Sequence, residues 1–120
     1  MRRVSLALVI ALLAVPVSAQ QQYLAFEQVT VAATSIGFTS ALINPAGQVQ
    51  ANKAVCRVET AQMRFRIDGT APTAAVGTIL DVGDILTLVG NDVLRSFRAI
   101  RTGATSGVLS CSYTTPGAQP

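Results

Sequence analysis

Histidine and tryptophan are absent from this sequence, and cysteine occurs only twice. Without histidine there is no Ser-His-Asp or Cys-His arrangement, and the commonest general base and metal ligand are missing. Two cysteines alone fall short of the ligand set of a zinc site. Without tryptophan, the usual flat platform for stacking a sugar ring is gone. No convincing helix follows residue 19; the longest candidate, Val93 to Arg101, is short and runs into a glycine-rich loop instead of a C-cap. Full internal repeats are not apparent either. An enzyme is therefore not indicated, and no cofactor is implied.

What is present begins with an export signal. Arg2 and Arg3 form a positive start, Val4 to Val17 an apolar run, and Val17-Ser18-Ala19 a small-residue cleavage site before Gln20-Gln21-Gln22. The run is short for a bilayer span. Residues 1–19 are thus expected to form a cleavable signal-peptide helix, and residues 20–120 a single exported domain with no membrane span after cleavage. Secretion or export to a periplasm, free or attached to a surface or particle, is the expected localisation.

Removing 19 of the 120 residues leaves 101, enough for one modest hydrophobic core. Seven arginines and lysines then face six acids, a net charge of +1. The basic character belongs largely to the precursor, so a nucleic-acid partner is not expected. Cys56 and Cys111 both enter an oxidising compartment, where pairing is the default and two buried free thiols the alternative. A disulfide closing that loop stabilises by roughly 4 kcal/mol in the chain-entropy model.

Gly, Pro, Asn and Asp recur at short intervals, separated by segments rich in Val, Ile, Thr, Phe and Tyr, as in an all-β domain. Strands are expected within 23–33, 37–43, 54–59, 63–67, 78–80, 85–89, 94–101 and 108–115. Cys56 and Val58 share one face, whereas the next apolar face is Met63, Phe65 and Ile67. That change of phase requires a bulge or tight bend near Thr60-Ala61. Leu109, Cys111 and Tyr113 also share a face, so both cysteines point inward, as a cross-strand or inter-sheet bridge requires. The fold class expected is a small antiparallel β-sandwich, jelly-roll-like, with an open barrel as the alternative.

Candidate chemistry is sparse. Glu59 and Asp68 can be cast as a glycosidase pair, but a solvated strand residue and a turn aspartate account for them better. Asp81 and Asp84 lack the ligand count of a calcium loop and fit a turn. Arg64, Arg66, Arg98 and Arg101 are candidate contacts for acidic glycans, phosphates or a partner carboxylate if the fold gathers them; ordinary solvated sheet faces use the same residues. Tyr23, Phe38 and Tyr113 read as core or edge residues.

The stretch Met63-Arg64-Phe65-Arg66-Ile67-Asp68-Gly69-Thr70-Ala71-Pro72-Thr73, with Gly77, Leu80, 94–100 and the strand ending at Tyr113, resembles small β-sandwich proteins of tailed phages, regarded as virion-associated. Its most specific element is Arg-x-Arg-x-Asp-Gly-Thr-x-Pro-Thr. Physically, Asp68 accepts backbone N–H groups in the turn, Gly69 permits positive φ, Thr70 completes the turn, and Pro72 stiffens the exit. The resemblance implies a virion-associated role, with these motif residues serving the scaffold.

Two function classes follow. The first is a structural or assembly protein that uses exposed strand edges and apolar patches to form a homo-oligomer or join a larger particle. The second is a secreted recognition module that binds carbohydrate or another surface ligand through loops such as 44–51 and 102–107.

Overall fold

The computed structural model describes residues 22–116. The expected signal peptide and its cleavage site lie outside the described residues. Alternating patterns fold into strands where expected: β1 (Tyr23–Val31), β2 (Lys53–Val58), β3 (Met63–Arg66), β4 (Thr78–Leu80), β5 (Ile85–Val89), β6 (Arg98–Arg101) and β7 (Gly107–Thr114). Two antiparallel sheets result, in the orders β1-β7-β2-β5 and β4-β3-β6, packed together as a small all-β sandwich.

The period-2 code is clearest in β7, where Gly107, Leu109, Cys111 and Tyr113 are buried and the residues between them face outward. Ala54, Cys56 and Val58 do the same in β2. The bend expected near Thr60-Ala61 is where the chain leaves the first sheet for the second, so the change of phase follows a change of partner. The core between the sheets includes Val31, Val58, Met63, Leu94, Phe97, Leu109 and Tyr113, each almost wholly buried. Phe38 stacks flat on Phe97 with ring centroids 4.2 Å apart, and meets Tyr113 edge-on at 5.3 Å.

Two expected strands are corrected. Residues 37–43 form no strand; Ser40–Ile43 are a short helix, α1, and Ile36 makes an isolated bridge to Ala99. The expected strand 94–101 is two elements: α2 (Asn91–Ser96), then β6 from Arg98. The reason is burial: a helical turn lets Leu94 and, just beyond it, Phe97 both enter the core, where strand alternation would send one outward. Ile67 lies beyond the end of β3 and is 44% exposed, so the inward face of that strand is Met63 and Phe65 alone.

Cys56 and Cys111 are joined by a disulfide. They are direct partners on the adjacent strands β2 and β7, with Cα atoms 4.1 Å apart. The bridge is therefore cross-strand within one sheet and not between sheets.

Candidate functional surfaces

Backbone register shows which strand edges are free. The Glu59 N–H donates to the Val108 carbonyl at 2.9 Å, three residues beyond Cys56 in the β2–β7 ladder, so Cys56 and Cys111 form a non-hydrogen-bonded pair there. Alternate residues Ala54, Cys56 and Val58 thus direct their peptide groups toward β5, as the Val58 N–H bond to the Asp84 carbonyl at 3.1 Å shows. Their partners on β5 are Leu88, Leu86 and Asp84. It follows that Ile85, Thr87 and Val89 aim their N–H and C=O groups away from the sheet, along an edge that has no backbone partner among the described residues.

The four sheet edges differ in how they are closed. The β6 edge is covered by the incoming segment: Ile36 and Ala99 exchange backbone hydrogen bonds at 2.9 and 2.8 Å, and the Arg101 N–H donates to Ala32. The β4 strand has only three residues. The β1 edge carries a bulge between Tyr23 and Ala25 and an inward-pointing charge, Glu27; both features discourage strand addition. The β5 edge has none of these devices. Its run Ile85-Leu86-Thr87-Leu88-Val89 has no charge or proline, its register with β2 is uninterrupted, and Ile85 and Val89 are 68% and 62% exposed.

Glu27 was not singled out by the sequence pattern. It occupies an inward position on β1 opposite Cys111, and its carboxylate accepts hydrogen bonds from the Thr39 N–H (2.9 Å), the Thr39 hydroxyl (2.5 Å) and the Tyr113 hydroxyl. It thereby ties the start of α1 to the sheet. Burial, and then the hydrogen bond to Glu27, pushes the Tyr113 phenol well above its ordinary pKa. The available signal was a lone acid in an otherwise apolar inward register, Ala25, Glu27, Val29 and Val31.

The arginine motif folds as a scaffold. Arg64 donates from Nε to the Ala74 carbonyl (3.1 Å) and from a terminal nitrogen to the Gly77 carbonyl (2.8 Å), fixing the loop between β3 and β4. Arg66 lies against Asp68 through two hydrogen bonds, and Asp68 also accepts the Thr70 N–H at 3.2 Å. These contacts, Arg66 first, hold the Asp68 carboxyl below its usual range. Gly69 has φ of 82°, which L side chains rarely adopt, and Pro72 is buried at the loop's base.

Of the four candidate arginines, register gathers three. Arg64 and Arg66 on β3 and Arg98 on β6 share the outer face of the three-stranded sheet, with Arg66 and Arg98 directly opposite. Arg101 belongs to the other phase of β6, opposite buried Met63, and reaches the Ser106 hydroxyl at 3.3 Å; it is not part of the patch. Glu59 and Asp68 are not a pair: Glu59 follows β2 in the first sheet, and Asp68 serves Arg66 in the second. Asp84 accepts the Asp81 N–H at 2.8 Å, closing a turn, and no cluster of three metal-ligating side chains occurs among the described residues.

Comparison with protein-family models, curated proteins and solved structures returned no match. The resemblance of residues 63–73 to phage proteins therefore rests on the motif. No described helix is long and apolar enough to cross a membrane, and the disulfide suits an oxidising compartment.

Proposed function

We propose that the chain is an exported, non-enzymatic assembly module that associates with further copies of itself by strand addition at β5. The supporting observation is the contrast among edges: β6 is covered, β4 is short and β1 has a bulge at its start and an inward charge, while β5 offers five uncharged residues in regular register. Peptide groups along such an edge bond equally well to water or to another strand, and exclusion of Ile85 and Val89 from water favours the strand.

A second β5 is a self-complementary occupant. Two copies related by a two-fold axis at Thr87 pair antiparallel, with Thr87 opposite Thr87 and Ile85 opposite Val89 in both halves. No like charges meet, since β5 carries none. The product is a continuous eight-stranded sheet with the smaller sheets on one side. The phage-like motif agrees with such a role in a larger particle, to which the paired modules attach.

Light scattering after size-exclusion chromatography tests this reading. The expected mass is that of a dimer or larger species, and Thr87→Pro, which removes an outward N–H without breaking an internal bond, yields monomer. Gln28→Pro on the β1 edge leaves association intact. A strictly monomeric wild-type protein at the highest attainable concentration contradicts the proposal.

A further inference from the structure

The outer face of the β4-β3-β6 sheet carries an imbalance of charge that the assembly role does not use. Arg66 and Arg98 stand directly opposite each other across β3 and β6, which places their Cβ atoms roughly 5 Å apart. Like charges in this position repel. Only one of them is offset. Asp68 lies across Arg66, whereas Arg98 has no hydrogen-bond or ion-pair partner among the described residues. Arg64, two residues along β3 on the same face, is held by backbone carbonyls, which orient its guanidinium without neutralising it. Three cations thus share one carboxylate.

The donors are also available. A guanidinium offers five N–H groups in a planar fork suited to oxyanions. Arg64 and Arg66 each use two donor nitrogens internally, and Arg98 uses none. Gly37 flanks Arg98 on its other side. A Cβ there would stand only 2.8 Å from the Phe97 carbonyl oxygen, so that backbone contact requires glycine, while the Arg98 Cδ at 3.7 Å would be in ordinary contact with it.

We infer that this face binds the sulfate or carboxylate groups of an acidic polysaccharide, with Arg66 and Arg98 sharing one oxyanion across the strand pair and Arg64 contacting the next. Binding of this kind removes the repulsion between the opposed arginines, a gain that a neutral sugar does not provide. Single-stranded nucleic acid is a poorer fit, because it needs aromatic platforms for its bases. Phe65 and Phe97, next to these arginines in sequence, pack against each other on the inner side, with centroids 5.9 Å apart. A duplex is read by a helix or ribbon that enters a groove, whereas this face is a short sheet with Ile79 and Ile100 on either side of Arg64.

Isothermal titration of the purified protein with a heparin-derived hexasaccharide tests the inference. Binding is expected at low salt and weakens as salt screens the charges. Arg98→Gln breaks no internal contact and weakens binding about tenfold or more, equivalent to losing one charge-assisted hydrogen bond. Arg66→Gln does likewise. Arg57→Gln removes an exposed cation from the other sheet and leaves affinity unchanged, and Thr87→Pro binds as the wild type does, which separates this site from the edge. The inference is overturned by absence of binding at low salt or by an equal loss in Arg57→Gln, the mark of unspecific attraction. Tighter binding to a single-stranded oligonucleotide or to anionic lipid vesicles also overturns it.

Discussion

A single phenol makes the core sensitive to alkali. Tyr113 is fully buried and donates its hydroxyl proton to the Glu27 carboxylate, so ionising it would place two negative charges side by side away from water. Its folded pKa is raised above the unfolded value, near 10. The stability this contributes is complete below about pH 10 and falls as pH rises beyond it, by about 1.4 kcal/mol per pH unit, because the unfolded chain releases that proton first. Denaturant unfolding across the alkaline range should show a steeper decline for wild type than for Tyr113→Phe, by about one proton. Equal slopes contradict the assignment. Asp68 behaves in the opposite sense: its folded pKa is lowered by Arg66, so its contribution is present above about pH 4 and disappears as acid protonates it.

At the scale of elements, the strands were legible wherever alternation was long or bounded by turn residues. β2 and β7 follow directly from their apolar alternation, β5 from an apolar run bounded by Asp84 and Gly90-Asn91, and the Asp68-Gly69-Thr70 turn from its chemistry. The helices were not. α1 has four residues and α2 six, too short for a 3.6-residue period to declare itself, and both owe their form to tertiary contacts. Ile43 and Leu94 are buried by packing that no local pattern records. The arginine face was half legible: spacing placed Arg64 and Arg66 together, but only cross-strand register could add Arg98 and remove Arg101. The openness of β5 was hidden for the same reason, since an edge is defined by the partner it lacks.

For the whole molecule, the disulfide does what the small core cannot do alone. It joins β2 to β7, the two central strands of the larger sheet, and closes a loop with a sequence separation of 55. Its loss should cost about 4 kcal/mol by the chain-entropy model. Reduction in mild denaturant, with the thiols then blocked, should lower the unfolding midpoint accordingly; an unchanged midpoint, or full thiol alkylation without reductant, contradicts the bridge.

Pairing of the β5 edge with another copy is read most directly by amide hydrogen exchange at Thr87. In the associated state the Thr87 N–H should be protected together with those of Ile85 and Val89, and it should exchange freely on dilution to monomer. Rapid exchange of these three amides at concentrations where the protein is oligomeric would show that copies meet elsewhere and that β5 remains open to water.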